Sequence, residues 1–528
     1  MIRLKLRFLL LSMSFALALF SGPAHGQAPA TRPAQEHPAT QPESRPNIHG
    51  EHERQSVTEG QVQTVDGLLR YKATAAHLAL KDDAGKTKAE IFYVAYVKQP
   101  GDELDRRPIT FVFNGGPGAA AVWLHLGTAG PKHIAMNDNG DAPVPPYQLE
   151  ENPDTWLRAT DLVFIDPVGT GYSRAAPGEK PEQFYGLRED IQAVAEIIRT
   201  YITEKNRWLS PKFLAGESYG TTRAAGLSQH LLEQNGIALN GIVLISSVLN
   251  FNTIDFAPGN ELPYVLYVPS YTAIAHYHKK LAPDLQQADL SKTLRDAQQW
   301  ATHDYVDALS AGTSLAADKR NAIAKQLSRY TGLSLDSVLK ADLRINAGAF
   351  RSELLVDRRQ IIGRFDARIT GYNPDPLTMS DEYDPSLSPY FAAYMATFGS
   401  YVRGTLEFKD DRQYEVLTNK VRPWNFGTLP QVATNLQDAM MKNPHMKVMF
   451  CNGLADLATP YMAADYTIDH LNISPELRAN ISHKYYEGGH MLYHYRPSRQ
   501  KLGQDMADFI KSAIGPSIQS ERPVGAVK

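Results

Sequence analysis

Cysteine is nearly absent: Cys451 stands alone in 528 residues, so no internal disulfide can brace the fold and a packed core must hold it. There is no cysteine pair and no His-Glu-x-x-His, so the chain offers none of the usual metal-ligand spacings and no metal is expected. An excess of one charge is missing too. Lys and Arg number 54 against 57 Asp and Glu, a formal net charge of −3 that gives no reason to expect nucleic acid or an anionic membrane as partner. No apolar run reaches the roughly 20 residues that cross a bilayer, and no internal repeat is visible.

What is present is the composition of a globular protein, 43% hydrophobic and 21% charged, with length for two to four domains. Arg3, Lys5 and Arg7 precede an apolar stretch of 13 residues (8–20), and Ala24-His25-Gly26 closes it before Gln27. This predicts a signal peptide over residues 1–26 and an exported mature chain, periplasmic or secreted, without stable membrane insertion. One thiol fits bacterial export better than disulfide-rich secretion. Cys451 follows Val448-Met449-Phe450 and is expected as a buried small hydrophobe, not a nucleophile. Residues 27–60, rich in Pro, Ala, Gln, Glu and His, lack apolar periodicity and predict a disordered linker, with order from about Gln61.

Residues 91–97, aromatic and β-branched, predict an early antiparallel strand. Short apolar runs at 109–113, 162–165, 213–215, 242–245 and 448–450 fit strands buried on both faces of a parallel sheet. Between them, Ile191-Val194-Ile197-Ile198 and Ala224-Leu227-Leu231 repeat with helical period, so a three-layer α/β domain is expected. Over residues 251–425 the pattern lapses into helices and loops, with aromatic clusters at Tyr264-Tyr267-Tyr271 and Tyr390-Phe391-Tyr394-Phe398. It resumes at Val448. We expect a helical cap inserted between core segments 61–250 and 426–515, over the sheet edge where such folds bind ligands, followed by a tail at 516–528. The alternative is a separate helical domain with no role at the site.

The most informative segment is Phe213-Leu214-Ala215-Gly216-Glu217-Ser218-Tyr219-Gly220, a strand running into Gly-x-Ser-x-Gly and then an amphipathic helix. The two glycines permit a sharp turn that lifts the Ser218 hydroxyl above the sheet edge as a nucleophile. The competing reading is an N-capping serine in a βα loop. A serine nucleophile needs a base and a group that orients it, which in α/β-hydrolases follow as acid, then histidine. Asp456 ends a loop after the strand at 448–450, and His490 sits on a Gly488-Gly489 turn 34 residues later. His483 and His494 compete with His490, and Asp465 or Asp469 with Asp456; the Gly-Gly turn and the chain order favour His490. Asn114-Gly115-Gly116-Pro117-Gly118 follows an early strand and lacks the Lys-Ser/Thr pair of a P-loop. It assigns the oxyanion hole to the backbone amides of Gly116 and Tyr219.

Together these residues resemble the serine carboxypeptidase family (peptidase family S10), as a bacterial-type member. The marks run in order along nearly the whole mature chain. They are Asn114-Gly-Gly-Pro-Gly118, Asn152-Pro153 before Trp156, Asp166-Pro-Val-Gly-Thr-Gly-Tyr-Ser173, Gly216-Glu-Ser-Tyr-Gly220, Asn452-Gly-Leu-Ala-Asp456 and Gly488-Gly-His-Met491. The resemblance implies an α/β-hydrolase fold with a helical cap, no cofactor, and release of C-terminal amino acids from a peptide substrate, often at acidic pH. It implies that Asn114 and Glu217 grip the substrate α-carboxylate. Two further family positions differ here: Val112 stands where the family has Trp, and Thr128 falls, by spacing, where it has a second Glu. A Thr128 hydroxyl would donate to a carboxylate without the shared proton that paired carboxyls require. The alternatives are an esterase or acyltransferase on the same triad, or an inactive binding protein on this fold.

Overall fold

The structure is a computed structural model and describes residues 55–101, 106–374, 383–427 and 430–515. The expected signal peptide, residues 27–54 of the expected linker, and the tail lie outside the described residues. Residues 55–60 of the expected linker belong to a strand. Strand β1 (Gln55–Thr64) buries Ser56, Val62 and Thr64 on alternate positions and pairs over its whole length with β2 (Gly67–Lys81), from Gln55↔Ala76 to Thr64↔Gly67. Continuous antiparallel hydrogen bonding, more than apolar content, makes this segment a strand.

Eight of the nine longer strands follow β1: β2, β3 (Thr87–Gln99), β4 (Ile109–Phe113), β5 (Asp161–Ile165), β6 (Lys212–Glu217), β7 (Gly241–Ile245), β8 (Lys447–Gly453) and β9 (Ile481–Tyr486). Their spatial order is β1-β2-β3-β5-β4-β6-β7-β8-β9, and a two-residue strand, Arg174–Ala175, pairs with β3 to make ten. Pairing is antiparallel from β1 to β5 and parallel from β5 to β9. The buried strands obey the period-2 rule on both faces. Phe111, Leu214, Leu244 and Phe450 pack with helices α1 (Leu187–Glu204) and α2 (Tyr219–Asn235); Val112, Ala215, Val243 and Cys451 pack on the other face. This is the α/β-hydrolase fold, three layers around a mixed sheet.

Helix α3 (Leu262–Tyr277) opens a helical insertion with its own core, which includes Tyr271, Tyr305, Leu327 and Phe350 and reaches Ala367. Ala455 and Leu457, on either side of Asp456, belong to that core. The insertion is therefore tied to the loop that carries the predicted acid. It is shorter than residues 251–425. Helix α4 (Ser388–Gly404) lies with the sheet, because Tyr390, Tyr394 and Phe398, spaced by four, turn one aromatic face into the same core as α5 (Arg496–Ala513). Among the described residues no helix is long and apolar enough to cross a membrane.

Candidate active site

Strand β6 ends at Glu217, and α2 begins at Tyr219, leaving Ser218 alone to make the turn. It does so at φ 59° and ψ −130°, a conformation that costs a non-glycine residue about 1–3 kcal/mol. A Cβ at Gly216 would lie 2.2 Å from the Gly220 carbonyl oxygen, so only glycine lets the strand and helix ends approach this closely. Gly115 answers to the same constraint from the neighbouring loop: its Cβ would meet the Tyr219 nitrogen at 2.4 Å. The loop after β4 is thus pressed against the serine turn. Gly116 and Tyr219 both line the cavity there, and neither amide donates to another group among the described residues.

His490 and Asp456 come to the same place from the other end of the chain. His490 Nδ1 donates to Asp456 Oδ2 at 2.8 Å, and Thr459 Oγ1 donates to that same oxygen at 2.7 Å. Asp456 Oδ1 accepts from the amides of Ala458 and Thr459 at 2.7 and 2.9 Å. The carboxylate is fully buried and fully hydrogen-bonded, so it holds the imidazole in one orientation. Burial pulls the His490 pKa down, but the charge and hydrogen bond of Asp456, helped by Glu217, outweigh it and the net shift is upward. His490 Nε2 has no hydrogen-bond partner, so its bond to the Ser218 hydroxyl is not made; such bonds commonly tighten only with substrate in place. Ser218, His490, Asn114, Glu217 and Thr459 line one cavity of about 180 Å³. Roomier surface hollows of about 750 and 1060 Å³ lie over α1, and no serine or cysteine is among the described residues that line them.

The competing residues are engaged elsewhere. His483 Nδ1 pairs with Asp465 at 2.8 Å, His494 Nε2 meets the Tyr394 hydroxyl at 2.9 Å, and Asp469 faces Arg478 at 3.7 Å. None of them lines the cavity. Burial holds His494 down at about 3. Cys451 is fully buried, and burial raises its thiol to about 12.

Asn114 Nδ2 donates to Glu217 Oε1 at 3.0 Å, while Asn114 Oδ1 accepts from the Leu124 amide at 3.1 Å. Glu217 is 5% exposed, and its Oε2 has no partner. Burial lifts its carboxyl to about 7, against the opposing pull of His490, the Tyr493 hydroxyl and Asn114. Thr128 departs from expectation. It lies in a π-helical turn, His125–Ala129, with its hydroxyl buried and unpartnered, and it does not line the cavity. Its carbonyl and that of Gly130 accept from Asn152 Nδ2 at 2.5 and 2.8 Å, which gives Asn152 a structural task. Val112 is buried in the sheet core. Trp123, Phe365, Thr459 and Arg364 line the cavity unforeseen; each arrives from a segment with no local motif. The cap aromatics Tyr267 and Tyr271 are core residues. Among the described residues no group of three His, Cys, Asp or Glu is placed to hold a metal ion.

Comparison with known proteins shows the family and the fold. The serine carboxypeptidase-like 50 protein of Arabidopsis thaliana is 26% identical over 294 residues, 54% of this chain and 56% of that one. The serine-type carboxypeptidase F of Aspergillus niger is 26% identical over 212 residues, 39% of this chain and 36% of that one. The chain thus matches about half or less of these relatives' lengths. The solved structure of a prohormone-processing carboxypeptidase from Saccharomyces cerevisiae shares the fold: TM-score 0.52, 16% identity, 83% of this chain and 91% of that one covered. A model of the family described as serine carboxypeptidase matches residues 66–501, and the chain belongs to that family.

Proposed function

We propose that the protein is a serine-type carboxypeptidase that releases C-terminal amino acids from peptides through an acyl-enzyme on Ser218. The observation that carries this reading is the shared cavity: the strained serine, the Asp456-oriented imidazole and two undonated amides face one space. Ser218 Oγ attacks the last peptide carbonyl as His490 Nε2 takes its proton, and the Gly116 and Tyr219 amides stabilise the oxyanion. His490 then protonates the leaving amine and, in the second half, activates the water that frees Ser218. Asn114 and the protonated carboxyl of Glu217 receive the substrate α-carboxylate. The amino-terminal pattern at residues 1–26 adds export to the periplasm or the medium.

Two measurements test it. A fluorophosphonate should label the protein, and Ser218→Ala should abolish the label. A free-acid peptide should be shortened from its C-terminus while its amidated form resists; equal rates on the two would leave an esterase or acyltransferase reading instead.

A further inference from the structure

Among the described residues that line the catalytic cavity, one is a permanent cation, Arg364, beside a largely apolar lining. Its main chain is pinned from both sides. The Arg364 amide donates to the Asp384 carboxylate at 3.2 and 3.1 Å, and its carbonyl accepts from the Leu457 amide at 3.0 Å. The side chain, by contrast, is exposed and has no ion-pair partner among the described residues. Two nearby described carboxylates are committed elsewhere: Asp384 to the Arg364 and Ser386 amides and the Ser386 hydroxyl, Asp366 to Arg368 at 2.7 Å. The guanidinium lies 5.6 Å from the centroid of the Phe365 ring, and that ring packs against the His490 imidazole at 5.0 Å. The Arg364 charge therefore stands near the candidate reacting groups, on an anchored backbone.

A guanidinium with no ion-pair partner among the described residues, over an apolar wall that weakens competition from water, is suited to bidentate capture of a carboxylate. We propose that Arg364 is a specificity residue that binds the side-chain carboxylate of an Asp or Glu flanking the scissile bond, so that the enzyme prefers acidic residues there. This rests on the carboxypeptidase reading, which gives the α-carboxylate to Asn114 and Glu217 and leaves the rim cation to a side chain.

The test is product analysis by the full-length enzyme on a peptide library with Glu, Asp, Leu, Ala or Lys at the last and penultimate positions. Wild type is expected to favour Asp or Glu at one of them. Arg364→Gln should lower kcat/KM on those peptides about tenfold more than on the Leu and Ala peptides, as for a charged hydrogen bond at a partly open site. Arg364→Glu should move the preference to Lys, a gain that a merely destabilised variant does not produce. No acidic preference in wild type, or an equal loss across the library in Arg364→Gln, overturns the proposal. Amidated copies of the peptides keep the two ideas apart: if they are cut as fast as the free acids, the exopeptidase reading fails, while the side-chain preference is still read from the same library.

Discussion

Raising the pH across neutrality should weaken binding of free-acid peptides, and the midpoint tests the account of Glu217. A carboxyl meets a substrate carboxylate favourably only while it keeps its proton, because two bare carboxylates at contact repel. Glu217 is buried with one oxygen unpartnered, and its carboxyl is lifted from the ordinary 4.5 to about 7. The binding-competent, protonated form therefore dominates up to about pH 6 and falls about tenfold between pH 6 and pH 8. With an ordinary carboxyl the proton would already be roughly 97% gone at pH 6, so that pH separates the two cases by a factor of about thirty. The assay is KM against pH with a neutral peptide, read apart from kcat, in which His490 titrates. KM should be flat through pH 6 and climb beyond it. Glu217→Gln should bind more weakly at pH 5 but show no climb, because its amide has no proton to lose in this range. A steep rise in KM beginning below about pH 5.5 would refute the reasoning, since it would place the carboxyl near its unshifted value.

The same burial has a thermodynamic side. Between the unfolded value of 4.5 and the folded value of about 7 the folded state binds the extra proton, so stability should fall with rising pH across that window. Glu217→Gln should remove this penalty and raise stability at pH 8 by on the order of 3 kcal/mol, measured by denaturant unfolding. Asp456→Asn keeps the size of the side chain but offers His490 the wrong hydrogen bond; kcat should drop by roughly 10⁴ with the melting temperature little changed. Gly115→Ala drives a methyl to within 2.4 Å of the Tyr219 nitrogen, so it should cost about 1–3 kcal/mol in stability and at least about a hundredfold in kcat by displacing an oxyanion donor.

Ser218, Asp456 and His490 were legible because each sits on a local device that chain chemistry announces: a glycine-flanked turn after a strand, a loop opening from a late strand, and a Gly-Gly turn. The parallel strands were legible for a related reason. Burial on both faces demands continuous apolar runs, and Phe111 and Val112 serve opposite cores within one such run. The amino-terminal strand was not, since Gln55 to Gly60 is polar and is held by its ladder with β2.

Thr128 failed for a different physical cause. Placing Thr128 by spacing assumes that side-chain direction follows linear sequence, whereas the chain there winds as a π-helical turn, which takes in an additional residue and re-phases every side chain in it. The Thr128 hydroxyl ends inside the protein, while Trp123, just before that turn, faces the cavity. Arg364 and Phe365 carry no pattern at all; they reach His490 because the insertion's core holds Ala455 and Leu457 and returns the chain over the sheet edge. What the sequence conceals is thus the part of the cavity proposed to meet the substrate rather than the residues proposed to perform the chemistry. Reaction groups must be presented by a few strained turns, and those leave a signature. The walls that choose a substrate need only be brought near by packing, which any buried apolar neighbour can do.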